Sequence, residues 1–115
     1  MTIAVSKYNS LEHYSWGKDC EGWRLLNGTS LAVIHERMPA GTSEVKHYHQ
    51  HAQQFFFILK GSAEFEIEDD VVEVNANEGL HIAPGKKHRI MNNTGEDLEF
   101  ILCSQPSTVN DRVAL

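Results

Sequence analysis

Two histidines separated by a single residue, His47 and His49, lie in the stretch GTSEVKHYHQHAQQFFFILKG, residues 41–61. On an extended strand, residues two apart point to the same face, about 6.6 Å apart along the chain. Two imidazoles so placed can close on one metal ion. By itself His-x-His is a weak signal, because solvated histidines on a polar strand face give the same pattern. A second stretch, NEGLHIAPGKKHRIMN at residues 77–92, adds His81 and His88. His51 reads as a bystander in a loop, and His81 as a surface or hydrogen-bonded histidine on a strand. Arg37, if it faces inward, could fix a carboxylate or enolate by paired hydrogen bonds. Glu64, Glu66 and Glu68 share one strand face and read as a solvated face that blunts edge aggregation, with no chemistry of their own.

The elements that must position these side chains are short strands. Leu31 to Met38 alternates, with Leu31, Val33, His35 and Arg37 on one face and Ala32, Ile34, Glu36 and Met38 on the other. The face with His35 and Arg37 either meets solvent or lines a polar cavity. Phe55-Phe56-Phe57-Ile58-Leu59 is a run of β-formers, and Lys60-Gly61 reads as a tight hairpin into Ser62–Glu68, where Ala63, Phe65 and Ile67 face in. Asp69-Asp70, Pro84-Gly85 and Asn92-Asn93-Thr94-Gly95 mark turns, and Leu98 to Cys103 is a mostly apolar last strand. About eight short strands with no useful helical period predict a β-sandwich or barrel. Residues 1–30 read as an arm laying Tyr14, Trp16 and Trp23 against the domain, with one short strand near Trp23–Leu26. Residues 31–103 form the barrel, and residues 104–115 a polar tail that frays or crosses to a neighbour.

Composition bounds the partners. With 115 residues the chain is one domain, large enough to bury a core. Its net charge of −6 and lack of a Lys/Arg-rich run argue against nucleic acid and anionic membranes. No apolar run approaches the roughly 20 residues of a bilayer span, and the N-terminus is too polar for a signal peptide. Cys20 and Cys103 make no disulfide framework and no C-x-x-C, so a reduced, cytoplasmic chain is expected.

Taken together, the two stretches resemble the paired motifs of the cupin superfamily. Against G-x5-H-x-H-x4-E-x6-G, this chain places Gly41, His47, His49 and Gly61, with Gln54 where the family usually has glutamate. Against G-x5-P-x-G-x2-H-x3-N, it places Gly85, His88 and Asn92, with Ala83-Pro84 near the proline and Asn77 at the leading glycine, a mild swap because asparagine tolerates the left-handed backbone. The resemblance implies an all-β fold: a double-stranded β-helix, or jelly-roll barrel, of two antiparallel sheets. It also implies that His47, His49, Gln54 and His88 converge inside on one divalent metal. Three imidazoles and an amide oxygen suit a first-row transition ion (Fe, Ni, Co, Cu or Zn) rather than calcium or magnesium. An amide brings no charge, so the ion would be held more weakly and be a stronger Lewis acid.

Two classes of function follow. One is a small metalloenzyme acting on a small anionic or polyhydroxylated molecule, either a dioxygenase or a sugar isomerase. The lack of a carboxylate ligand tilts this reading towards the three-histidine dioxygenase, and isomerisation wants a general base that is not evident unless Glu36 or His81 turns inward. The other is a non-catalytic binding or sensor module. Phe55, Phe57 and Leu59 form an apolar face that needs cover from the arm, the second sheet or a second subunit, and a homodimer is expected.

Overall fold

The computed structural model describes residues 2–115, which form eleven strands and no helix. They are β1 (Glu12–Trp16), β2 (Cys20–Asn27), β3 (Ala32–Met38), β4 (His47–His49), β5 (Gln53–Lys60), β6 (Ser62–Ile67), β7 (Asp70–Asn75), β8 (Gly79–Ile82), β9 (His88–Met91), β10 (Leu98–Gln105) and β11 (Arg112–Ala114). Six make one antiparallel sheet in the order β1-β2-β3-β10-β5-β8, and five make the other, β11-β4-β9-β6-β7. The expected two-sheet jelly roll is present.

Alternation along the strands fills the space between the sheets. In β5, Gln54, Phe56 and Ile58 are buried while Gln53, Phe55, Phe57 and Leu59 are exposed. In β6, Ala63 and Phe65 point in; Glu64 and Glu66 point out, where Glu66 pairs with Lys46 at 2.9 Å and Arg89 at 3.3 Å. Inward residues also change character along each strand. Met38, Ile58, Ile90, Leu98 and Phe100 are at most 1% exposed and close one end of the barrel. Further along the same rows stand Glu36, Gln54, His88 and Leu102. Phe56 sits at the junction, its ring 5.0 Å from Phe65 and 5.5 Å from Phe100. Each such buried aromatic contributes about 2–3 kcal/mol, so the apolar end supports a polar end that stabilises little by itself.

Three sequence expectations need correction, and one left open is decided. The segment read as an arm with one short strand supplies two full strands, because β1 pairs with β2 from Glu12↔Arg24 to Trp16↔Cys20 and β2 with β3. Its aromatic residues had masked a hairpin turning at Gly17 and Asp19, both at positive φ. Lys60-Gly61 does not join a hairpin: β5 and β6 lie in different sheets, so the turn crosses the barrel edge. Gly61 is required there, with φ +84° and the carbonyl of Asp97 only 2.6 Å from where a Cβ would stand. The polar tail does not fray. β11 pairs antiparallel with β4, and the Asp111 carboxylate accepts the backbone N–H groups of His51 and Ala52 at 3.0 and 2.9 Å. Finally, the face of β3 with His35 and Arg37 is the outer one. His35 meets Glu99 at 2.9 Å, and Arg37 is held by Glu21 at 2.7 Å and Asp97 at 3.3 Å.

Asn77 takes φ +68°, the left-handed backbone expected at the leading-glycine position. Asn92, fully buried, braces the site strand. Its amide donates to the carbonyls of Met38 and Glu96, and its oxygen accepts from Thr94.

Candidate metal centre

Backbone pairing brings the three histidines together. His47 and His49 share the inward face of β4, and His47 lies directly opposite His88 on β9, so cross-strand geometry aims their side chains the same way. All three rings are buried, with one ligand nitrogen from each within 4.8 Å of the others. Ring centroids are 4.4 Å apart for His47–His88, 4.9 Å for His47–His49 and 5.7 Å for His49–His88. Nδ1 of His47 lies 2.8 Å from the carbonyl of Val45, and Nδ1 of His88 lies 2.8 Å from that of Lys86. A carbonyl can only accept, so both Nδ1 atoms carry the proton and both Nε2 atoms present a lone pair.

Gln54 comes from the opposite sheet and lines the same cavity as His47 and His49. Its amide nitrogen donates to Ser104 Oγ at 3.1 Å, the residue across the ladder on β10, leaving Oε1 without a partner. His49 Nδ1 and His88 Nε2 are likewise buried and unpaired among the described residues. Buried polar atoms left unsatisfied are costly, and this set of imidazole nitrogens and an amide oxygen has the donor chemistry of a first-row transition ion. The residues fit such an ion.

Burial pushes His47 down to about 3 and His49 down to about 4, with neighbouring positive charge adding to the effect. His88 is lowered for the same first reason. The three rings are therefore neutral and ready to ligate at physiological pH.

The cavity, about 260 Å³, also holds groups beyond the predicted ligands. Glu36, the inward neighbour of Arg37, lines it together with Glu44, Tyr14, Arg24, Thr108 and Arg112. Arg37 does not line it. Tyr14, Gly22 and Glu36 form one row across β1, β2 and β3. A Cβ on Gly22 would fall within 2.2–2.7 Å of the Tyr14 ring. The bare glycine lets Tyr14 reach across β2 and donate from its hydroxyl to Glu36 Oε2 at 3.1 Å. Burial raises Glu36 to about 7, against the lowering effects of Tyr14, Arg24 and Arg112. Glu44 is raised to about 8 by burial and by the charge of Glu36. Tyr14 is held well above its ordinary value by burial first and Glu36 second, so it remains a donor. Strand parity announced Glu36; Tyr14, Glu44 and Arg112 lay in segments read as arm, loop and tail. His81 is exposed and bonds Gln53 at 2.8 Å on the outer face, and His51 is exposed in its loop.

The chain belongs to the cupin family: the Cupin domain model matches residues 34–104. Over 82 residues it is 23% identical to an uncharacterized protein of Methanocaldococcus jannaschii, a match covering 71% of this chain and 66% of that one. Among solved structures, it resembles a conserved double-stranded β-helix protein from Klebsiella pneumoniae, with TM-score 0.81 and 18% identity over 99% of this chain and 97% of that one. It also resembles Pac13, a nucleoside dehydratase from Streptomyces, with TM-score 0.81 and 13% identity over 100% and 92% of the two chains. At such identities the structural likeness concerns the fold.

Two outcomes follow. Elemental analysis of untagged protein should find about one transition-metal equivalent per chain, lost in His88→Ala and bound more tightly in Gln54→Glu; full occupancy in His88→Ala would remove that ring from the ligand set. Glu36→Gln should stabilise the metal-free protein increasingly as pH rises. A carboxyl whose folded value is raised is penalised once the unfolded chain ionises, from about pH 4.5 upward, and the penalty levels off above about pH 7. Chemical denaturation at pH 4 and pH 8 checks this, and an equal difference at both would refute it.

Proposed function

We propose that this cupin is a metal-dependent enzyme that moves a proton on a small oxygenated molecule, an isomerase or lyase rather than a dioxygenase. The observation that carries this is Glu36. The sequence leaned to oxygen chemistry for want of a carboxylate ligand and left isomerisation without an evident base, whereas a carboxyl raised to about 7 stands on the wall that His47, His49 and Gln54 also line. A divalent ion held by His47, His49, Gln54 and His88 would supply Lewis acidity to a substrate oxygen. Glu36 accepts the proton from carbon or oxygen and returns it, working near its own pKa, where general acid–base groups are most effective. Tyr14, hydrogen-bonded to Glu36 Oε2, orients the carboxyl and stabilises its charged form. Ile34, Phe56 and Leu102 line the cavity's apolar side and keep water from competing. That Pac13 is a dehydratase agrees with proton-transfer chemistry in this fold.

Incubation of the metal-loaded protein in D2O with a panel of small hydroxy acids, keto acids and sugars should wash deuterium into one carbon-bound position, read by NMR. Glu36→Gln should reduce this at least a hundredfold with metal content unchanged. Oxygen consumption by the Fe(II)-loaded protein that survives Glu36→Gln would favour the dioxygenase instead.

We also propose a homodimer, for which the outer face of β5 is the support. Phe55, Phe57 and Leu59 are 44%, 37% and 42% exposed and contiguous, an apolar surface that monomers rarely leave open. Light scattering should give twice the chain mass of 13.0 kDa, and Phe57→Lys should halve it; a wild-type monomer at high concentration would exclude the dimer. Two free thiols, Cys20 and Cys103, suit the reducing cytoplasm.

A further inference from the structure

The C-terminal strand carries a residue that the proposed reaction does not use. Arg112 lies directly opposite His49 in the β11–β4 ladder. Facing residues of an antiparallel pair project to the same side, so Arg112, itself exposed, stands on the same side of the ladder as the histidine, and it lines the cavity. The other cavity guanidinium is committed: Arg24 bonds Glu12 at 2.6 Å and stacks on Tyr14 at 4.8 Å. Arg112 takes part in no ion pair among the described residues, although Glu36 and Glu44 line the same cavity. A guanidinium with its planar donor fork unengaged at the mouth of a polar cavity matches a carboxylate.

Its placement is built in by its neighbour. Asp111 is 6% exposed, and its carboxylate accepts N–H groups from His51 at 3.0 and 3.1 Å and from Ala52 at 2.9 Å. Those donors directly follow the His47–His49 strand, so one buried carboxylate clamps the C-terminal segment to the strand carrying two of the histidines. Gln50 N–H to Asp111 carbonyl, 3.2 Å, adds a backbone bond at the same point.

We propose that the C-terminal strand is a working wall of the site, on which Arg112 binds the carboxylate of a small acid substrate and Asp111 is the positioning residue that holds it there. The proposal rests on the function proposed above and narrows its substrates to small carboxylates. A cavity of about 260 Å³ is below the roughly 300–1,000 Å³ of sites for drug-sized ligands, which limits the acid to a few carbons.

Calorimetric titration of the full chain, metal-free and Ni(II)-loaded, with lactate and with propane-1,2-diol tests this. The two probes differ chiefly in the carboxylate. Wild type should bind lactate at least tenfold more tightly than the diol. Arg112→Ala should weaken lactate about tenfold or more in both forms and leave the diol unchanged, and Arg112→Lys should recover part of the loss, keeping charge without the fork. Asp111→Asn should weaken lactate selectively at unchanged metal content, an effect that general destabilisation would not confine to one probe. Lactate affinity indifferent to Arg112→Ala, or a wild type with no preference for lactate, overturns the proposal. Metal content measured on the same samples separates the two claims. Arg112-dependent lactate binding without metal uptake would sink the metalloenzyme and leave the carboxylate site; full uptake with Arg112-independent binding would do the reverse.

Discussion

Everything at this site depends on one pairing, His47 opposite His88 across β4 and β9. β4 has three residues and β9 four, too few to hold that register by hydrogen bonds alone. The register is fixed from outside the pair. Asn92 ties the end of β9 to the carbonyls of Met38 and Glu96, Gly85 N–H reaches His49 carbonyl at 2.7 Å, and β11 pairs with the free side of β4. A one-residue slip would turn every side chain on the strand to the other face and send two imidazoles into solvent. The C-terminal strand thus adds to what holds the histidine strand in register, beside Asn92 and Gly85.

Burial then sets the chemistry. The same desolvation drives the imidazoles and the carboxyls in opposite directions on the pH scale, because it opposes charge of either sign. His47 and His49 stay neutral down to about 4 or below, while Glu36 and Glu44 keep their protons up to about 7 and 8. A metal-free cavity at neutral pH is accordingly short of fixed charge, and Arg112 is the group within it that carries charge without a partner. The apolar floor of Phe56, Phe65 and Phe100 makes this state affordable, since those rings supply the stability that the polar end forgoes.

What could be read from the chain alone follows from the range of the interactions. Strand parity is local, so the inward set Gln54, Phe56, Ile58 and the outward set Phe55, Phe57, Leu59 were legible from alternation, whereas the left-handed turn at Asn77 came with the family resemblance. The family resemblance brought in His88, which no local pattern joins to His47. Contacts made by segments without a clear period were not legible. β1 has five residues and β11 three, and both are strands because a neighbour offers an edge, not because their own sequences alternate. Tyr14 and Arg112 reach the cavity through those two strands. Lys60-Gly61 misled for a related reason: turn chemistry specifies the bend but not which sheet receives the next strand.

The substitution at Gln54 gains its sense from Glu36. A carboxylate at position 54 would bring negative charge to the cavity that Glu36 also lines, where the proposed reaction has that second carboxyl lose and regain its proton. Like charges at short range raise one another's pKa, as the charge of Glu36 already does to Glu44. With a neutral amide at 54, whose nitrogen is anchored on Ser104, Glu36 stays near 7, where it can serve as both acid and base. On the proposed function, the negative charge that cupins commonly place among the ligands would stand here on the neighbouring wall, exchanging tighter ion binding for a proton-transfer group. The Gly22 gap supports the same conclusion from the other side. A small residue in the middle strand of three leaves the room in which Tyr14 packs as it crosses that row to Glu36. The gap brings a hydroxyl donor to a carboxyl that spends part of its time charged.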